Sequence, residues 1–205
     1  PQGFLMNAAP VWRVSEDGEI RDRFSRLEHV FEMQEEGFFR RYAQNAAAVP
    51  GGYREAWQKY ATHLRSAIPD LPFSNAWIAQ TLAPKLPPHC ALHLGILNSL
   101  RCWNCFDVDA SIATAANVGG FGIDGCVSTL IGASLAAPTK LHFGVFGDLA
   151  FFYDLNSLGN RHVGSNLRIL LVNNGGGGEF KLYSHIGAQF GEQNDDFIAA
   201  SGHNG

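Results

Sequence analysis

The sequence predicts a three-layer α/β fold, a parallel sheet with helices on both faces, preceded by a small α+β segment. Three observations carry that expectation. Two apolar runs, 141–146 and 167–172, have the length of buried strands and stop abruptly in small polar residues, Gly147-Asp148 and Asn173-Asn174-Gly175-Gly176. Between them Phe151, Leu155 and Leu158 recur at helical spacing, so the stretch reads strand–helix–strand and the right-handed crossover rule makes its strands parallel. Upstream, the runs 90–96 and 112–118 add two more strands in alternation with helical patterns, at least four in all.

Taken in order, Val11-Trp12-Arg13-Val14 alternates as a short strand, and Glu16-Asp17-Gly18-Glu19 predicts a hairpin turn into Ile20-Arg21-Asp22. Over 27–42 the residues Val30, Phe31, Met33, Phe38 and Phe39 share one helical face. Glu28, Glu32, Glu35, Glu36, Arg40 and Arg41 share the other, with acids early and arginines late, as the helix dipole prefers. A second helix is expected from Tyr53 to about Leu64, after the break at Val49-Pro50-Gly51-Gly52. The boundary to the main domain is placed at Asp70-Leu71-Pro72, giving segments 1–70 and 71–205. Ser74 reads as the N-cap of a helix over 75–86, with Pro87-Pro88 beyond its end. The strand 90–96 ends in Asn98-Ser99. The strand 112–118 runs into a glycine loop, 119–125, and a helix to about Ala136.

Composition narrows the function classes. With 205 residues, 46% hydrophobic and 17% charged, the chain is an ordinary globule with a substantial core. A net charge of −4 implies no general attraction to nucleic acid. No apolar run reaches the ~18 residues of a membrane span. The start at Pro1, without Met or leader, reads as part of a longer protein. Four cysteines show no paired secretory framework, so a reducing cytoplasm is expected.

In a parallel sheet, ligands sit outside the carboxyl ends of the strands, which would bring Asp148 and Asn174 together. A carboxylate, an amide carbonyl and glycine-exposed backbone are hard oxygen donors of the kind that suit Mg²⁺. The run 175–178 would bare backbone N–H groups to a phosphate.

Other motifs compete. Gly120-x-Gly122-x-x-Gly125 follows a strand and opens a helix, with Asp148 23 positions on, which is the context of an NAD(P)-binding loop. Against it, the loop follows the second strand of its unit, and Asn173-Asn174-Gly175-Gly176 would have no task. Cys102-Trp103-Asn104-Cys105 is a CxxC, but no second CxxC completes a zinc site, and a redox pair would need its own βαβ context. Two ordinary thiols near the substrate pocket is the simpler reading. His93 and His142 read as core residues; His162 and His185 could face a cofactor, though no HxxxH or HxH spacing supports a histidine metal site.

Gly147-Asp148, followed after 26 positions by the second Asn of an Asn-Asn pair, resembles the diphosphate-binding motif of thiamine diphosphate (ThDP)-dependent enzymes. The wording GDLAFFYDLNSL, with GFGIDGCVSTLIGASLA upstream, is most similar to the branch that joins a decarboxylated 2-oxoglutarate unit to isochorismate in menaquinone synthesis. The resemblance covers roughly residues 70–180. It implies the ThDP-binding fold for 71–205, shortened at its C-terminus, with 1–70 as the tail of a central domain plus linker. It implies that Asp148, Asn174 and the Gly176 carbonyl hold Mg²⁺ against the diphosphate. Asn98 and Ser99 would lie beside that group. The loop with Phe121 would pass beneath the cofactor, and Ile123 would prop it into a V. Gly147, Leu149, Ala150 and Gly177 complete the cofactor-binding set, and Glu179 and Phe180 begin a segment that closes over it.

The resemblance further implies decarboxylation of a 2-oxo acid, with the aldehyde unit transferred or released. No catalytic residue is expected in this chain. The essential Glu would come from a pyrimidine-binding domain of the same or another subunit, in a homodimer or homotetramer, so this chain alone would be inactive. Trp103, Asn104 and Asn117 are placed in the substrate pocket. Where the menaquinone branch carries two arginines, this sequence has Trp103 and Val118, so a less anionic substrate than the menaquinone intermediates is expected. The alternatives are an NAD(P)-binding oxidoreductase domain and a non-catalytic module of the ThDP fold.

Overall fold

The computed structural model describes residues 10–44, 51–120, 122–182, 185–199 and 202–203. Two compact units divide the chain at Ala61/Thr62.

In the first unit, β1 (Val11–Ser15) and β2 (Leu27–Glu32) form a two-stranded parallel ribbon, followed by α1 (Glu35–Ala43). Two expectations are corrected here. The turn at 16–19 forms, because Asp17 accepts two N–H groups from Arg13 at 2.6 and 2.9 Å and the backbone N–H of Glu19 at 2.9 Å. It opens no hairpin: Ile20 is 83% exposed, and the chain runs on until Asp22 accepts from the N–H groups of Arg26 and Leu27. The return strand therefore enters parallel, at 27–32. That stretch is the second correction, since the expected helix begins only at Glu35. Val30 and Phe31 are strand formers, and the Phe31 ring packs on Trp12, Phe38 and Tyr42 with centroids 4.9–6.2 Å apart. The helix α2 (Tyr53–Ser66) spans the division between the units.

The second unit carries a four-stranded, wholly parallel sheet of β3 (Ala91–Leu94), β4 (Ala113–Ala116), β5 (His142–Gly147) and β6 (Leu167–Val172), in the order β4-β3-β5-β6. The α/β class is therefore observed. The helix α3 (Asn75–Leu82) is capped as its sequence demands, the Trp77 N–H donating to Ser74 Oγ at 3.2 Å, and a 3₁₀ turn at Ala83–Lys85 carries it to the Pro87-Pro88 stop. The helix α4 (Asn98–Trp103) follows β3, α5 (Cys126–Ala136) follows β4, and α6 (Asp148–Tyr153) follows β5. Leu155 and Leu158, expected on the crossover helix, lie on a 3₁₀ segment, Leu155–Gly159. A last short helix, α7, spans Gln193–Phe197.

Alternating residues of the central strands feed two core clusters. Phe143 and Val145 of β5, with Leu170 and Val172 of β6, join Leu92, Leu94, Ala79 and Trp103. Phe146, with Leu167 and Ile169, joins Val127, Leu130 and Ile131 of α5. Each fully buried side chain of this kind contributes about 1.5–3 kcal/mol. Gly144 is required where the second cluster meets the sheet: a Cβ there would stand 2.5 Å from Leu130 Cδ2 and from the Phe146 ring.

The β5–β6 register matters most for function. Gly147 pairs with Val172, so the strands end level and Asp148 and Asn173 leave the sheet side by side.

Candidate functional site: a glycine-walled cavity at the strand ends

A cavity of about 430 Å³ opens beyond the carboxyl ends of β3, β5 and β6. Ten of the eleven positions assigned to cofactor binding from sequence line it: Asn98, Ser99, Ile123, Gly147, Asp148, Leu149, Ala150, Asn174, Gly176 and Gly177. The eleventh, Phe121, lies outside the described residues.

Asp148 is the best-anchored group. It is only 2% exposed, and its two oxygens share four donors. Oδ1 accepts the Leu149 N–H at 2.8 Å. Oδ2 accepts the N–H groups of Asn174 at 3.1 Å and Gly175 at 2.7 Å, and His203 Nε2 at 3.0 Å. Burial by itself pushes the carboxyl pKa up, but the His203 contact and the three backbone N–H groups outweigh it, and the net shift is downward. Asp148 is thus held as an anion.

One terminal atom of the Asn174 amide stands 3.2 Å from Asp148 Oδ2 and 3.2 Å from the Gly176 carbonyl oxygen. With the oxygen in that place, three oxygens meet with no proton between them. With the amide turned over, its nitrogen donates to both. Adjacent oxygens of an octahedral Mg²⁺ shell, at metal–oxygen distances of 2.0–2.1 Å, are about 3.0 Å apart. The three groups therefore fit a small, hard divalent cation. Among the described residues, no cluster of three or more His, Cys, Asp or Glu side chains offers another metal site.

The glycines of the far wall are fixed by close approach. A Cβ on Gly178 would lie 2.9 Å from Asn98 Nδ2, and one on Gly177 would lie 2.4 Å from the Ala199 carbonyl oxygen. Of the expected phosphate-facing N–H groups, that of Gly175 is committed to Asp148 and that of Gly177 to Ala199. Glu179 and Phe180 also line the cavity, and Glu179 forms an ion pair with Arg101 of α4. Across the mouth, His185 Nδ1 accepts the Gly187 N–H at 2.9 Å, so the ring reaches the wall in a fixed orientation.

The substrate-pocket positions are not brought to this cavity. Trp103 is 4% exposed and packs in the first core cluster, so its indole is core, on a helix where the sequence had suggested a loop over the substrate pocket. Asn104 is exposed at the end of α4. Asn117 instead accepts from His93 Nε2 at 2.8 Å and donates to the Gly125 carbonyl and Thr129 Oγ1, tying β3 and the glycine loop to the start of α5. His93 and His142 are both buried, as expected of core histidines. Cys105 is exposed and Cys102 half-buried, and both are free thiols.

Two site features carried no legible signal. Leu97 lines the cavity with φ at +73°, a backbone conformation that costs a non-glycine residue on the order of 1–3 kcal/mol and tends to mark functional sites. His203 reaches Asp148 from 55 positions away.

Level parallel strands, a buried anion at the tip of β5 and a glycine wall after β6 define a parallel α/β domain with a cavity at its strand ends. The comparisons narrow this. No family model matches the chain. Curated relatives named 2-succinyl-5-enolpyruvyl-6-hydroxy-3-cyclohexene-1-carboxylate synthase do. The Bacteroides fragilis protein is 41% identical over 167 residues, which is 81% of this chain and 30% of the relative. That of Phocaeicola vulgatus is 37% identical over 199 residues, 96% of this chain and 35% of the relative. That of Bacteroides thetaiotaomicron is 39% identical over 166 residues, 81% and 29% respectively. This chain is a homologue of these synthases, the branch of the ThDP-dependent enzymes that its motifs resemble, and it spans about a third of their length.

Proposed function

We propose that this chain is the diphosphate- and cation-binding part of a ThDP-dependent enzyme, built as a three-layer domain. The observation that carries the reading is the meeting of Asp148 Oδ2, the Asn174 amide and the Gly176 carbonyl at the edge of the glycine-walled cavity. Asp148, Asn174 and Gly176 would hold Mg²⁺, and the cation would take the cofactor's diphosphate. ThDP, when bound, would supply a nucleophilic carbon for the carbonyl of a 2-oxo acid and an electron sink for the pair left when the substrate loses its carboxylate as carbon dioxide.

The protein's own residues do the rest. Asp148 arrives already ionised and held by backbone N–H groups, so this carboxylate itself needs no ordering when the cation binds, and only the Asn174 amide must present its oxygen. Asn98 and Ser99 flank the diphosphate place, and Ile123 gives the glycine loop its only described bulky side chain on the cavity wall. The carboxylate that assists the pyrimidine ring belongs to a pyrimidine-binding domain, in the same or another subunit of a homodimer or homotetramer.

The reaction is the decarboxylation of a 2-oxo acid, with its aldehyde unit transferred or released. Val118, 60% exposed where the resemblance implies an arginine, favours a substrate less anionic than the menaquinone intermediates, while Trp103, buried in the core, has no part in that choice. Arg101 keeps one guanidinium near the cavity, on Glu179.

Titration calorimetry of ThDP into the chain, with and without Mg²⁺, tests the reading. Binding is expected only with Mg²⁺, and is expected to fall at least tenfold in Asp148→Asn and in Asn174→Ala. Mg²⁺-independent binding, or NAD binding in its place, would contradict it.

A further inference from the structure

We infer that Cys102 and Cys105 form a redox pair, two thiols that close reversibly to a disulfide at the C-terminal end of α4. The inference stands apart from the ThDP reading, and it replaces the expectation that Cys102-Trp103-Asn104-Cys105 carries two ordinary thiols.

The end of the helix sets the spacing. The Asn104 N–H still donates to the Leu100 carbonyl, four residues back, at 2.9 Å. The next two bonds are tighter: Cys105 N–H donates to the Cys102 carbonyl at 3.3 Å and Phe106 N–H to the Trp103 carbonyl at 3.1 Å. In that geometry side chains three residues apart lie one above the other. A four-residue turn keeps its end Cα atoms within about 7 Å, and a disulfide joins Cα atoms about 4.4–6.8 Å apart. The Cys105 thiol also folds back along the helix, donating at 3.4 Å to the Arg101 carbonyl, which belongs to the peptide leading into Cys102.

The two thiols are placed unequally, as the chemistry requires. Trp103 sits in the first core cluster, and Cys102 and Phe106 pack against it, so the turn is pinned from inside. Cys105 is exposed. Burial, and then the nearness of Cys105, hold the Cys102 thiol above its ordinary pKa. The exposed thiol therefore meets a soluble disulfide such as oxidised glutathione first. Its thiolate attacks one sulfur, and one glutathione leaves as the thiolate. Cys102 then displaces the second glutathione and its proton passes to that leaving sulfur. One soluble disulfide is thereby reduced to two thiols as the Cys102–Cys105 bond forms. Among the described residues no third His, Cys, Asp or Glu joins the pair as a metal site.

Glutathione redox buffers applied to the folded full chain, with acid quenching, alkylation and mass spectrometry of the peptide that carries both cysteines, test this. The peptide is expected to lose two hydrogens, to carry no glutathione and to recover both thiols in dithiothreitol. In Cys102→Ala the glutathione adduct on Cys105 is expected to accumulate about tenfold above its level in the unaltered chain, where Cys102 resolves it. A lasting adduct on Cys105 in the unaltered chain, at the level seen in Cys102→Ala, overturns the pairing. A disulfide between two chains, or unchanged thiols even in oxidised glutathione alone, also overturns it. So does a Cys102–Cys105 bond that forms only in urea, since the folded turn would then not present the pair.

Discussion

At the scale of single residues, Asp148 joins what the sequence says to what the cavity does. Its position could be read in advance because a buried strand must stop where Gly147-Asp148 begins, and because the crossover rule puts the next strand end alongside. What could not be read was its company. His203 is 55 positions away and Leu97 adopts its positive φ without any glycine or asparagine to announce it. Since the Asp148 pKa is lowered in the folded chain, its contribution to stability is present above the ordinary carboxylate range and is lost as pH falls through the lowered value. Acid unfolding followed by tryptophan fluorescence is expected to show that dependence in the native chain, and less of it in Asp148→Asn.

The cysteines make a second residue-scale test. Burial raises the thiol pKa of Cys126, Cys102 and Cys90, and Cys126 and Cys90 are at most 2% exposed. Iodoacetamide at neutral pH, read by mass spectrometry, is expected to label Cys105 first and to leave Cys90 and Cys126 unlabelled until the chain unfolds. Rapid labelling of Cys126 in the folded protein would contradict the packing of α5.

At the scale of elements, the strand–helix–strand unit β5-α6-β6 was the most legible part because two independent signals, apolar length and abrupt polar stops, agreed, while the helical spacing between held for Phe151 alone, Leu155 and Leu158 lying on a 3₁₀ segment. The ribbon β1-β2 was not. Over 27–32, Val30 and Phe31 satisfy either period in so short a window, and the aromatic cluster with Trp12 and Phe38 decides for strand. Trp103 shows the same limit from the other side, a residue whose place in a six-residue helix gave no hint that its ring faced the core.

Two substitutions test the elements directly. Gly144→Ala is expected to cost about 1–3 kcal/mol of unfolding free energy in urea, because its methyl would drive into Leu130 and Phe146. Gly177→Ala is expected to weaken Mg²⁺-dependent ThDP binding more than it weakens the fold, because the collision is with the Ala199 carbonyl at the cavity wall. A Gly177→Ala protein with full binding would remove the close-approach argument for that glycine.

At the scale of the whole molecule, two compact units are described, and the candidate site lies entirely within the second. Among the described residues no helix is long and apolar enough to cross a membrane. The chain spans about a third of the synthases it resembles. Of the described carboxylates lining the second unit's cavity, Asp148 is held by backbone N–H groups and Glu179 by Arg101, so the proposed function takes its pyrimidine-ring carboxylate from a further domain. Mixing the chain with Mg²⁺, ThDP and a 2-oxo acid alone is therefore expected to give no release of carbon dioxide, while addition of a matching pyrimidine-binding domain is expected to restore it. The parallel order and the strand-end cavity were foreseeable from pattern, because both follow from local rules. The substrate side was not, because it depends on which side chains tertiary packing removes from the surface.

The most direct measurement is a crystal structure of the chain grown with Mn²⁺ and ThDP, with anomalous scattering recorded at the manganese edge. The account expects a single strong peak within about 2.0–2.4 Å of Asp148 Oδ2, the Asn174 side-chain oxygen and the Gly176 carbonyl oxygen. A peak elsewhere, or an Asn174 amide still donating its N–H groups to Asp148 with the cofactor bound, would contradict it.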